Sequence, residues 1–345
     1  MGEKILEGVI NEAKGAEMDR PEKDRPENDR PEKDRPGKNR PGKNRPEKNR
    51  PEKNGPEKNR PEKKRASKLK PSINQISLMA VFQLLQLVSP RLSSFMAYHL
   101  WFHPGRKSIK KIPPFTPEGV SVSTFKLNRK TVYYWCAGSG PAVLLVHGWA
   151  SCGNQMARPA QALLDKGYKV IWMDAPAHGQ STGWQTNLFE CAEAISEIQK
   201  REGNFDALIA HSFGVPCSLY AMKKGLVTQK LIAISTPATV TGLIDKFCKI
   251  IKANKKTHQS LSGRMKLFIG DLSMSDIAAE DMAREIDQAC LVIHDKHDRM
   301  IRSKEGLAVQ KNLKHSTFML TQRLGHNRIL NDPQVIARCL EFIKA

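Results

Sequence analysis

From residue 120 to the C-terminus, short β-branched and apolar runs alternate with segments whose apolar positions recur at helical spacing. The runs predict strands at 120–127, 131–136, 142–146, 169–173, 207–211, 230–235, 290–294 and 316–321. Val143-Leu144-Leu145-Val146 and Val170-Ile171-Trp172-Met173 are apolar without interruption, as strands buried on both faces are. Helices are predicted at 155–166, 187–201, 213–224 and 303–311. A last one opens at Asp332-Pro333, an N-cap followed by proline at the first helical position. From the third strand onward the order is largely strand, helix, strand. The pattern therefore predicts an α/β domain at 117–345 with an eight-stranded, mostly parallel sheet covered by helices on both faces. One stretch breaks the rhythm. At 236–288 about fifty mostly helical residues separate two core strands, and an insertion there would sit over the strand ends as a small helical cap.

Upstream the pattern changes twice. Residues 76–101 form two apolar halves of about a dozen residues each, separated by Pro90-Arg91, and each is short of the roughly 20 residues that cross a bilayer. For this amphipathic segment, 71–116, two readings stay open. It packs on the domain, or it makes a weak peripheral contact with a membrane through 76–111, where Arg106, Lys107, Lys110 and Lys111, with Lys68 and Lys70 just upstream, suit anionic headgroups. Before it, Pro21 to Pro61 recur at every fifth position in charged pentads without a large apolar residue. That repeat forbids helix interiors and strand ladders and buries nothing, so 1–70 is expected to be a disordered tail, with Met79 an alternative start.

The formal net charge is +21, of which +7 lies in residues 1–70 and +14 in the rest. Such a surplus favours anionic surfaces in general. The tail's charges alternate in sign without interleaved aromatics, and no nucleic-acid-binding module is recognisable, so no specific nucleic-acid partner is expected. Seven cysteines are scattered singly, without a Cys-x-x-Cys pair. Reduced thiols in a cytoplasmic setting follow, with the inner membrane face as the alternative location. Metal-ligand spacing and Gly-rich cofactor loops are absent from the sequence, and no cofactor is implied.

Candidate chemistry sits at strand ends. The strand 207–209 leads into Ala210-His211-Ser212-Phe213-Gly214 and then a helix-compatible run. A serine nucleophile needs a turn that lifts Oγ clear of its neighbours, and such a turn needs small residues two before and two after it. Ala210 stands where glycine is more usual and is small enough. Upstream, Val146-His147-Gly148-Trp149 follows one buried strand and Asp174-Ala175-Pro176-Ala177-His178-Gly179-Gln180-Ser181 follows the next.

These three ordered motifs make residues 120–345 resemble the α/β-hydrolase superfamily. With the run 100–104 and the ending Gly325-His326-Asn327-Arg328-Ile329-Leu330-Asn331-Asp332-Pro333, they are most similar to a group of uncharacterised bacterial α/β-fold serine hydrolases. The resemblance implies a carboxylesterase-like enzyme that cleaves an ester or related acyl bond of a small-molecule substrate through an acyl-enzyme. It implies Ser212 as nucleophile, and the backbone N–H groups of Trp149 and Phe213 as the oxyanion hole. Asp298, in Asp295-Lys296-His297-Asp298, takes the acid's position with Asp295 as competitor, and His326 takes the general base's. His147, Asp174 and His178 are read as structural, and His294, His297 and His315 as ordinary histidines. Two other functions stay open: a hydrolase-fold protein that binds without turnover, and a peripheral membrane lipid esterase. Substrate identity and oligomeric state are not legible.

Overall fold

The computed structural model describes residues 73–105 and 112–345, and for 73–78 the backbone alone. The pentad tail expected at 1–70 and the basic residues at 106–111 lie outside the described residues. Two helices come first, α1 (Ile73–Val88) and α2 (Pro90–Trp101). The hairpin β1 (Ser121–Leu127) and β2 (Lys130–Ala137) leads into β3 (Ala142–Val146), α3 (Ala157–Leu164), β4 (Lys169–Asp174), α4 (Leu188–Glu202) and β5 (Phe205–His211). Then follow α5 (Gly214–Lys223), β6 (Thr228–Ile234), α6 (Val240–Ile250), α7 (Lys255–Ile269), β7 (Ala289–Asp295), α8 (Ser303–Asn312), β8 (Ser316–Thr321) and α9 (Pro333–Lys344).

All eight strands form one sheet in the order β1-β2-β4-β3-β5-β6-β7-β8. The pairs β1/β2 and β2/β4 are antiparallel and every other pair is parallel. Strand alternation divides the core between two faces. Val143 and Leu145 meet Met156, Leu163, Val335 and Ile343 on the side of α3 and α9. Leu144 and Val146 meet Ile195, Ile198, Val215 and Leu219 on the side of α4 and α5. Each fully buried aliphatic side chain contributes roughly 1.5–3 kcal/mol by leaving water, so a one-residue slip of β3 would be costly on both faces.

The chain runs from β3 out to β4 and returns past β3 to β5. The crevice beyond the carboxyl ends of β3 and β5 is therefore the topological switch point, where open α/β sheets bind ligands. Element boundaries differ from the sequence expectation by a few residues. The helix expected at 155–166 is a 3₁₀ turn, Gly153–Met156, followed by α3. β5 starts two residues early because Phe205 is buried and pairs with Thr228.

Helices α6 and α7 form the inserted cap between β6 and β7. α1 and α2 pack against it through Phe82, Ala97 and Phe102, which meet Ile244, Cys248, Ile251, Leu261 and Met265. Of the two readings of this helical pair, the inner face thus packs on the domain. Among the described residues no helix is long and apolar enough to cross a membrane. All seven cysteines are free thiols, six of them buried.

Candidate active site

The turn after β5 carries Ser212 at φ +53°, a left-handed conformation that a non-glycine residue adopts at a cost. Its N–H donates to the Ile234 carbonyl at 2.9 Å, which pins the turn to β6. Gly214 makes the sharp entry into α5 possible. A Cβ there would lie 2.7 Å from the Val146 carbonyl oxygen and 2.8 Å from that of His147. Ala210, at the other small position, is fully buried in the sheet.

Ser212 Oγ lies 3.0 Å from His326 Nε2, and His326 Nδ1 lies 2.7 Å from Asp298 Oδ2. A carboxylate can only accept, so Nδ1 carries the proton and Nε2 offers its lone pair to the serine hydroxyl. The other oxygen, Asp298 Oδ1, accepts the N–H groups of Met300 at 2.8 Å and Ile301 at 3.0 Å. Burial alone would raise the Asp298 pKa. Hydrogen bonds from His294 and His326, the charge of His326 and the Ile301 N–H outweigh it and hold the carboxyl well below the usual carboxylate range.

Asp295, the competing acid, faces another way. It accepts from the His297 N–H at 2.9 Å, Thr321 Oγ1 at 2.9 Å and the Leu324 N–H at 3.1 Å, and so ties the acid turn to the segment leading to His326. His294 Nε2 donates to the Ile301 carbonyl at 2.9 Å, and His297 Nδ1 accepts the Arg323 N–H at 3.2 Å. The carbonyl of His315 accepts the Cys290 N–H at 2.8 Å.

The loop after β3 crosses directly over the serine. A Cβ on Gly148 would lie 2.9 Å from Ser212 Cβ, so only glycine lets the following peptide come this close. Among the described residues, the backbone N–H groups of Trp149 and Phe213 donate to no protein acceptor. Phe213 directly precedes α5, so its N–H adds to the positive end of that helix. The loop itself is held by His147, which accepts the Ala175 N–H at 3.0 Å, and by His178, which accepts the Ala150 N–H at 3.1 Å. Asp174 accepts the N–H groups of Gly153 and Gln180, each at 2.7 Å.

Above Ser212 and His326 opens a cavity of about 990 Å³. Its walls come from Leu243, Phe247 and Ile250 of α6, Phe268 of α7, and Leu100 and Trp101 at the end of α2. Arg158 and Lys246 also line it, and no Asp or Glu does among the described residues. No three His, Cys, Asp or Glu side chains are gathered as metal ligands would be among the described residues.

A family model described as the alpha/beta hydrolase fold matches residues 141–272, the stretch that supplies β3 to α7. The structure is similar to that of a bromoperoxidase from Bacillus anthracis, with a TM-score of 0.52 at 16% identity over 65% of this chain and 100% of that one. The protein has the α/β-hydrolase fold. An esterase from Exiguobacterium antarcticum shares this α/β-hydrolase fold at a TM-score of 0.50 and 17% identity, over 63% of this chain and 96% of its own. In sequence, a non-heme chloroperoxidase of Kitasatospora aureofaciens is 29% identical over 89 residues, 24% of this chain and 31% of that protein. The match thus spans about a third of the relative's length.

Two contributions to this hydrolase-fold site are not apparent from the sequence. His211, next to the serine, donates from Nε2 to the His326 carbonyl at 2.9 Å. It thereby joins the elbow to the histidine loop. Burial first, and then the charge of His326, push the His211 pKa down to about 3, so it is neutral near neutrality. The sequence signal was only its adjacency to Ser212. The second is the wall built by α2, whose aromatic end reads in sequence as ordinary helix packing.

Proposed function

We propose that the protein is a serine hydrolase that cleaves an ester, thioester or similar acyl bond through an acyl-enzyme. The observation that carries this reading is the hydrogen-bonded chain Ser212–His326–Asp298, at 3.0 and 2.7 Å, opening into the apolar cavity. Ser212 Oγ attacks the substrate carbonyl carbon as its proton passes to His326 Nε2. The carbonyl oxygen becomes an oxyanion held by the N–H groups of Trp149 and Phe213, where one donor is commonly worth about 3 kcal/mol in the transition state. Collapse expels the alcohol or thiol, which takes the proton from His326 and leaves the acyl group on Ser212. A water deprotonated by His326 then attacks the ester, and the acid leaves as Ser212 regains its proton. Asp298 keeps its own negative charge throughout and stabilises the imidazolium.

The relatives' names include a bromoperoxidase, an esterase and a chloroperoxidase, so the fold alone does not choose the reaction. The walls favour an apolar acyl or alcohol group. Labelling with a fluorophosphonate probe tests the reading. Wild type should label and Ser212→Ala should not. An unlabelled wild type, or equal labelling of the two, defeats it.

A further inference from the structure

The outer face of α1 and α2 is apolar, and no described side chain covers it. Leu84 is 61% exposed, Leu87 83%, Val88 72%, Leu92 54% and Phe95 51%. Their spacing by three and four residues puts them in stripes on the outside of the pair. Three polar side chains of the same helices, Gln86, Ser93 and Ser94, point inward. Gln86 is buried and hydrogen-bonds the Lys252 carbonyl at 3.2 Å, Ser93 meets Thr257 at 2.7 Å, and Ser94 accepts from Ser260 at 2.8 Å. A helix pair whose outside met only water would carry the opposite assignment.

Charge selects what covers this face. Residues 63–117 contain no Asp or Glu, and residues 246–270 carry only basic charges. The second stretch includes α7, which packs along α2. Arg91 is exposed between Leu87 and Phe95, the Arg264 guanidinium lies over the Phe95 ring at 5.5 Å, and Lys255, Lys256 and Lys266 are exposed on α7. Leu267, 84% exposed, adds an apolar side chain on α7 itself. The acid that precedes this basic stretch, Asp245, is paired with His258 at 2.7 Å. The same helices wall the apolar cavity through Leu100, Trp101 and Phe268.

We propose that the outer face of α1 and α2 docks on a membrane surface containing anionic lipid. The leucines and Phe95 enter the boundary between headgroups and acyl chains, while Arg91, Arg264 and the α7 lysines meet the phosphates. The docking does not depend on the serine hydrolase reading, and Ser212→Ala protein should dock like wild type.

The full chain is floated with vesicles of phosphatidylcholine alone or mixed with phosphatidylglycerol. Wild type should rise with the mixed vesicles and much less with phosphatidylcholine, and added salt should weaken it. The double variant Leu87→Glu with Phe95→Glu changes only exposed positions, and an unchanged thermal melt checks its fold. It should lower the partition coefficient on the order of 100-fold, and Arg91→Gln alone a few-fold. The proposal is overturned if wild type stays with the unfloated protein, if it binds both vesicle types equally, or if the double variant floats as wild type does. It is also overturned if wild type ignores vesicles and sediments as a dimer that the double variant breaks, since the face would then belong to a second copy.

Discussion

Acidification from pH 7 to 4.5 should cost the wild-type protein about 2–3 kcal/mol through His211 alone. The side chain is buried, its Nε2–H is committed to the His326 carbonyl at 2.9 Å, and its pKa is lowered from 6.5 to about 3. In the unfolded chain it takes up a proton near pH 6.5, in the fold only near pH 3. Between those values the unfolded state binds more protons, so the His211 contribution is complete above pH 6.5 and falls with pH down to about 3. Moving the folded pKa by a unit barely changes the cost at pH 4.5, because the histidine is almost fully neutral in the fold there in either case. Asp298, whose folded pKa is also depressed, loses its contribution only below the ordinary carboxylate range, so this window separates the two groups. The measurement is the urea midpoint of wild type and His211→Gln at several pH values. Glutamine keeps an N–H donor without a titrating ring, so the variant's advantage over wild type should grow by about 2–3 kcal/mol from pH 7 to 4.5. A difference that stays constant across that range refutes the assignment of His211 as a neutral anchor.

Two further outcomes follow from the proposed reaction. Asp298→Asn presents an amide to His326 Nδ1 and removes the charge that fixes its tautomer, so kcat toward an activated ester should fall by about 10³–10⁴ with KM changed only a few-fold. Asp295→Asn should instead lower stability by about 1–3 kcal/mol, since its three accepted hydrogen bonds hold the turn. Urea unfolding with ester kinetics on both variants separates these outcomes, and a larger kcat loss at Asp295 reverses the roles. Leu243→Trp fills part of the cavity wall, so kcat/KM for long-chain acyl esters should drop about 10–100-fold while short-chain esters are spared. An unchanged ratio of long- to short-chain activity means that the acyl group lies elsewhere.

What was legible in the chain was local. The continuous apolar run of β3 announces a strand buried on both faces, because no neighbour in sequence could supply a polar face for it. The Ser212 elbow was legible for a similar reason: a positive φ and a close approach to β3 leave their mark as small residues at 210 and 214. Where the partner is far along the chain, the signal disappears. Choosing between Asp295 and Asp298 depends on which carboxylate a three-residue difference in turn position aims at His326, and both are followed by donors that suit a turn. His211 hydrogen-bonds across 115 residues, and beyond its adjacency to Ser212 nothing in its own neighbourhood marks it off from His147 or His294. The cap helices make the case most sharply. From sequence α1 and α2 are an amphipathic pair that packs on the domain or meets a membrane, and neither reading says which residues face inward. The structure decides the inner face, because Gln86, Ser93 and Ser94 find donors and acceptors on α7 and the segment before it, more than 160 residues away. With those groups satisfied against the cap, the leucines are left on the outside. Hydropathy alone leaves both readings of this pair open, and only the long-range polar contacts show which side the domain buries.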